Sequence, residues 1–298
     1  MSFGGDGPGL GLGGPKLIEE LTEQPVRIGR RFRRPRAWTA VIFILAALFF
    51  LVPMIAAFKF ALVQTSNGKY GFNNFTQVVD SSSIRGPLIT SLEIAAITAA
   101  IVLVLMVPTV VWVRLKLPKL SLLMEGVTIL PLVVPPVVMA AGLIQLQGHS
   151  PSWLEGLFNS PITALTPFYV VLALPFTYRA LDTGVRAIDL HTLVDAARNL
   201  GANWPTLLLR VILPNIQTAV LGAAFLAIAM VLGEVVIASF LLYQTLPTEM
   251  VQLGQAQGGV STALSLLTIL FTFLLLLGLS FVGSRRSGAT GMRGVRIL

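Results

Sequence analysis

The chain contains long apolar runs that only a lipid bilayer can accommodate, and this constrains it more than any other feature. A helix needs about 20 apolar residues to cross the hydrocarbon core. Six segments qualify: 38–61, which opens WTAVIFILAALFF; 88–113, ending VVWV; 120–146, containing PLVVPPVVMAAGL; 162–180; 216–243; and 262–283. In lipid every backbone N–H and C=O needs a partner within the chain, so runs of this length fold as helices. The fourth run carries Pro167 and Pro175. Only 11% of residues are charged, against roughly 25% in a soluble domain. That is too few to cover a soluble surface. The predicted fold is an all-α membrane protein with six transmembrane helices. A soluble enzyme, a nucleic-acid-binding domain and a disordered chain are excluded.

In such a chain the net charge of +8 sets orientation and meets anionic headgroups. Six spans put both termini on one side. Seven of the Lys and Arg residues lie in the N-terminal tail, which ends RIGRRFRRPR. Arg114, Lys116 and Lys119 follow the second span, and Arg179, Arg186, Arg198 and Arg210 follow the fourth. Arg285, Arg286, Arg293 and Arg296 follow the sixth. Only Lys59, Lys69 and Arg85 fall on the other side. The excess of basic residues on cytoplasmic loops predicts cytoplasmic termini. The expected organisation is a Gly-rich, then basic, disordered tail over 1–36 and a first membrane helix over 37–61. An outer loop follows over 62–87, then a five-helix core over 88–284 that includes a cytoplasmic segment, 179–215. A cytoplasmic tail covers 285–298.

Several chemistries are missing. There is no cysteine, which removes disulfides, thiolate metal sites and cysteine nucleophiles. His149 and His191 are too few and too far apart for a zinc site, so no metal site is expected; no catalytic residue is read either. No cleavable signal peptide is read, because no small-residue cleavage motif follows a short apolar core. A phosphate-binding loop needs G-x-x-x-x-G-K-[ST]. Gly68-Lys69 is followed by Tyr70, and Val63 stands where the upstream glycine belongs. The chain is expected to bind no cofactor of its own.

The segment 179–215 reads RALDTGVRAIDLHTLVDAARNLGANWPTLLLRVILPN. Leu190, Leu193, Val194, Ala197 and Leu200 recur at helical spacing, with Asp189, Asp195 and Arg198 on other faces. Gly201 can end that helix. By itself the pattern describes an amphipathic helix at a membrane surface. Asp195-Ala196-Ala197, then Gly201, then Val211, Leu213 and Pro214 resemble the signature E-A-A-x3-G-x9-I-x-L-P. Asp replaces Glu and Val replaces Ile. That signature belongs to permease subunits of binding-protein-dependent (type I) ABC importers, and the resemblance covers roughly residues 86–284.

The resemblance implies a MetI-like permease core in a bacterial inner membrane. It implies that 189–203 is a coupling helix docking on a dimer of ATP-hydrolysing subunits, which hold ATP and Mg. Ala196 and Ala197 would allow close approach of that partner, Gly201 a sharp turn, and Asp195 a pair with a basic group on it. Leu213-Pro214 would mark the return into the membrane. A second permease subunit, identical or similar, and an extracytoplasmic solute-binding protein are implied as partners; nucleic acid is not.

Candidate pathway residues lie within the spans. Pro131, Pro135 and Pro136 each break a helical hydrogen bond in the third span, giving either a bent, pathway-lining helix or a passive kink. Glu234 falls ~13 Å below the outer end of the fifth span, and Glu93 near the outer end of the second. A mid-span charge costs roughly 2.5–3.5 kcal/mol and usually faces a cavity, so Glu234 either meets a cationic solute or bonds a neighbouring helix. Asp80, Glu155 and Glu249 add carboxylates in outer loops. Ser239-Phe240-Leu241 with Thr245-Leu246-Pro247 resembles the spermidine/putrescine branch of these permeases, which includes relatives for ferric iron, thiamine and aminoethylphosphonate. The expected cargo is a small polar solute, a polyamine first. A stand-alone secondary transporter or channel, or a scaffold for an ATPase, would share the spans but not the 195–214 pattern.

Overall fold

The computed structural model describes residues 37–63, 68–149, 151 and 155–288. The predicted tail 1–36 lies outside them. The described residues are predominantly helical, with one isolated antiparallel bridge between Val63 and Tyr70. The helices are α1 (Ala37–Leu62), α2 (Asn73–Asp80), α3 (Ser82–Lys116) and α4 (Ser121–Val133). They continue with α5 (Pro136–Gly148), α6 (Pro161–Arg186), α7 (Leu190–Asn199) and α8 (Gln217–Gly233). The last are α9 (Val236–Phe240), α10 (Leu246–Ala256) and α11 (Gly258–Gly288).

Contacts divide the chain at Pro53/Met54. In the first unit the described residues are helical, and 38–53 are exposed throughout. Phe43 is 71% and Phe49 74% exposed, a surface suited to lipid rather than water. The second unit holds helices α2 to α11.

Five helical stretches are long and apolar enough to span a bilayer, and a sixth is a broken pair, 118–133 with 136–148, bent by 81°. The bend has a local cause. Pro135 and Pro136 in succession remove two N–H donors, and proline forces the residue before it out of the helical region. Val134 is accordingly extended (φ −82, ψ 118) and Pro136 opens α5 as its first residue. The segment 62–87, expected as a loop, holds α2 and the start of α3. Buried Asn74 fastens α2 in place by donating to the carbonyls of Ala61 (2.7 Å) and Val63 (3.0 Å).

Helices α3, α6 and α8 pack on one another and form the centre. At one end Val107, Val110 and Val111 of α3 meet Tyr178, Leu181 and Val185 of α6 and Ala223 of α8. At the other, Ile94 and Ala95 meet Leu165, Tyr169 and Leu172, with Val231 and Ile237 from across the break in the fifth span. In lipid no hydrophobic force drives helices together, so close packing of small residues must do it. Gly184 of α6 supplies such a contact: a Cβ there would overlap the Ala219 Cβ of α8. Gly184→Val should therefore pry α6 from α8 and destabilise by about 1–3 kcal/mol. The check is the thermal midpoint of the purified protein. Gly222→Ala, where a Cβ meets nothing within 4 Å, should leave it nearly unchanged.

Candidate functional site

Helix α7 begins at Asp189, whose carboxylate accepts from the Thr192 backbone N–H (3.3 Å) and hydroxyl (2.7 Å). These hydrogen bonds hold the Asp189 carboxyl below its ordinary pKa. The cap is therefore fully present above the ordinary carboxylate range and is lost as pH falls through the lower folded value. Leu190, Val194 and Ala197 form the buried face and join the cluster of α3, α6 and Leu207. The apolar side of α7 thus lies on the chain's own core.

Asp195, Ala196 and Arg198 point outward. Ala197, expected to admit a partner, is 8% exposed; its small side chain lets α7 approach its own core. Leu200, expected on the apolar face, is 89% exposed, because α7 ends at Asn199 and the chain turns away. That turn is a Schellman motif. Ala202 N–H donates to Ala197 O (3.0 Å) and Gly201 N–H to Arg198 O (2.8 Å). Gly201 has φ +80 with open space where a Cβ would sit, so backbone conformation, not crowding, calls for glycine there.

After the turn, Asn203 Oδ1 accepts from Thr206 N–H (3.1 Å). Residues Leu207–Ile212 then form a wide π-helical turn. Pro214 has no N–H, and widening the turn before it relieves its clash with the preceding carbonyls. Val211 and Leu213 pack against the same core cluster, while Pro214 is exposed. The seven signature positions therefore split. Ala197, Val211 and Leu213 hold the segment to the core; Asp195, Ala196, Gly201 and Pro214 face out.

The candidate pathway residues separate as well. Glu93, Ser239 and Phe240 are exposed, whereas Glu234 is 8% exposed. Glu234 stands at the break between α8 and α9. Its Oε1 accepts from Val236 N–H (2.8 Å) and Ile237 N–H (3.1 Å), and its Oε2 from the Tyr169 hydroxyl (2.9 Å). Of the two roles the sequence leaves it, the structure shows the bond to a neighbouring helix: Glu234 caps α9 and ties it to α6. Thr245, Leu246 and Pro247 are buried. Leu246 N–H donates to Ser91 Oγ (2.8 Å), so this part of the 239–247 stretch joins α10 to α3.

Residues 111–287 match the family described as binding-protein-dependent transport system inner membrane component. The chain belongs to that family. It is a multi-pass membrane protein. Among curated relatives it is 27% identical over 226 residues to a probable ABC transporter permease protein, y4fN, of Sinorhizobium fredii. That match covers 71% of this chain but only 39% of y4fN. It is 30% identical over 151 residues to the molybdenum transport system permease protein ModB of Azotobacter vinelandii, covering 48% of this chain and 66% of that one. The ModB protein of Mycobacterium tuberculosis is 27% identical over 235 residues, with 74% and 86% covered. The chain thus spans less than two thirds of the first two relatives' lengths. A solved bacterial ABC transporter, involved in import of the acidic polysaccharide alginate, superposes with TM-score 0.63 over 91% of this chain and 99% of that one. At 15% identity this likeness is one of fold.

One constellation in this chain went unread in the sequence. Asp182, 8% exposed, accepts from Arg114 Nε at 2.6 Å and lies 2.8 Å from Arg186 Nε. It joins the ends of α3 and α6 beside α7. The i,i+4 spacing of Asp182 and Arg186 was the available signal; Arg114, 68 residues away, gave none. Among the described residues no group of three or more metal-ligating side chains occurs.

The hydrogen bonds of Glu234 make its substitution informative. Glu234→Gln should cost about 1.5–3 kcal/mol, the worth of hydrogen bonds to a charged group, and lower the thermal midpoint. The cargo KM of whatever transporter remains folded should stay at the wild-type value. A raised KM at unchanged stability would instead place the carboxylate in the pathway.

Proposed function

We propose that this chain is the permease subunit of an ATP-driven, binding-protein-dependent importer, and that 189–203 is its docking element for a separate ATPase chain. The supporting observation is the two-sidedness of α7. Its apolar face is consumed by the chain's own core, while Asp195, Ala196, Arg198 and the 89%-exposed Leu200 form an outward surface. A helix that only floated on lipid would turn its apolar face outward. On this reading two ATPase subunits bind ATP and Mg below, a second permease subunit completes the pathway, and a solute-binding protein delivers cargo from above. The basic asymmetry supports a bacterial inner-membrane location with both termini in the cytoplasm.

The cargo is a small polar solute. A molybdenum-bearing anion comes first, on the names of the ModB relatives. A polyamine is the second reading. It rests on the resemblance of 239–247 alone, because the Glu234 carboxylate is already engaged by Tyr169 and α9. Uptake of each cargo by reconstituted transporter, with the other as competitor, separates the two.

Leu200→Glu tests the docking element itself. The side chain is exposed and lies outside the core, so the permease should fold and keep its thermal midpoint. Burying a charge at a desolvated contact should cost at least ~2 kcal/mol. The ATPase should then co-purify poorly and uptake should fall about tenfold or more. Full co-purification with wild-type uptake would mean that 189–203 is not the docking surface.

A further inference from the structure

The second unit carries an apolar cleft of about 380 Å³ that belongs to neither the docking segment nor the candidate pathway residues. It lies between α2, the start of α3, α10 and α11. Leu88 and Leu92 of α3 face Leu264, Leu267 and Phe271 of α11 across it. A second apolar hollow, about 400 Å³, continues it past the shared Leu232 and Thr268, deeper along α8 and α11. The Thr268 hydroxyl is used by its own helix, donating to Leu264 O (2.9 Å). Apart from Arg85, these walls offer a hydrophilic solute no charged group.

The one charge on the cleft is Arg85. It is exposed, donates to Val79 O (3.1 Å), and has no ion pair among the described residues. Its depth follows from α3. Arg85 and Arg114 are 29 residues apart on one helix, ~44 Å at 1.5 Å per residue. A bilayer with its headgroups is about 40–45 Å thick. With Arg114 at one headgroup layer, Arg85 reaches the other. Leu88 and Leu92 follow on the same face of α3, roughly 5 and 10 Å nearer the bilayer centre.

We propose that this cleft is a phospholipid-binding site: an acyl chain lies between α3 and α11, and the lipid phosphate pairs with Arg85. A guanidinium at phosphate depth, above an apolar channel leading inward, matches a phospholipid in charge, shape and polarity. The inference needs only the membrane-spanning reading of α3 and α11. It stands or falls separately from the ATPase-docking role of 189–203.

The test uses the full chain in the assembly purified from its native membrane and placed in nanodiscs. Two photoactivatable probes carry the same diazirine acyl chain, one a phosphatidylglycerol and one a diacylglycerol without phosphate. Labelled peptides are mapped by mass spectrometry, with Phe43–Phe50 of α1 as the reference for bulk lipid contact. Phosphatidylglycerol should label the peptides bearing Leu88–Leu92 and Leu264–Phe271 above that reference. Arg85→Ala should lower this labelling roughly fivefold, the effect of one basic residue at a membrane surface, and leave diacylglycerol labelling unchanged. Thr268→Trp, which fills the cleft, should remove both. Labelling no greater than at Phe43–Phe50, or unaltered by Arg85→Ala, would reduce the cleft to ordinary lipid contact. Absence of cleft labelling in the intact assembly would show another subunit covering it and would equally overturn the proposal.

Discussion

The close packing of α3, α6 and α8 is the contact on which the rest depends. Gly184 meets Ala219 so closely that a single added carbon cannot fit. Beside that contact, Asp182 draws Arg114 and Arg186 together. A buried carboxylate between two guanidiniums contributes little net stability but is costly to break, because removing one partner strands a desolvated charge. The pair therefore specifies which ends meet more than it strengthens them. Helix α7 is laid on this same end through Leu190, Val194 and Ala197. A force applied to its outer face reaches the three-helix centre without crossing a loop.

The interruptions in the spans follow one rule. In lipid, a backbone group freed by a break must be satisfied from within the chain. Glu234 does this for the break before α9, accepting two backbone N–H groups. Outside the spans, the turn at Gly201 satisfies its carbonyls by a Schellman motif, and the chain repeats that geometry after α9. There Tyr243 N–H donates to Ala238 O (3.0 Å) and Leu242 N–H to Ser239 O (3.2 Å). The residue in the left-handed position is Leu242, φ +59. A non-glycine residue there costs roughly 1–2 kcal/mol, and the 89%-exposed side chain recovers none of it within the subunit.

Spans and signature were readable because both depend on local pattern. Run length and apolarity locate α3, α6 and α11, and fixed spacing locates Asp195, Gly201 and Pro214. The prolines at 135 and 136 announce a break, but its 81° angle depends on what α4 and α5 pack against. The role of Glu234 was open in the sequence because its partner, Tyr169, is 65 residues away. Leu200 was misassigned for a related reason: periodicity extends an apolar face until a cap ends it, and the cap at Gly201 ended it one residue too soon. Ala197 shows the limit of a motif, which names a residue without saying which way it faces.

Because α7 lies on the core formed by α3 and α6, it is expected to move as one body with them. The most direct measurement is the distance between spin labels on α7 and on the far end of α3. The chain has no native cysteine, so labels at His191→Cys, exposed on α7 and outside the surface formed by Asp195, Ala196, Arg198 and Leu200, and at Ser83→Cys are unambiguous. Pulsed electron spin resonance on a labelled assembly that retains its ATPase and its uptake, nucleotide-free and with ATP trapped by vanadate, should give the same distance in both states. A shift of several ångströms on ATP binding would show that α7 slides on its core, and would contradict the account.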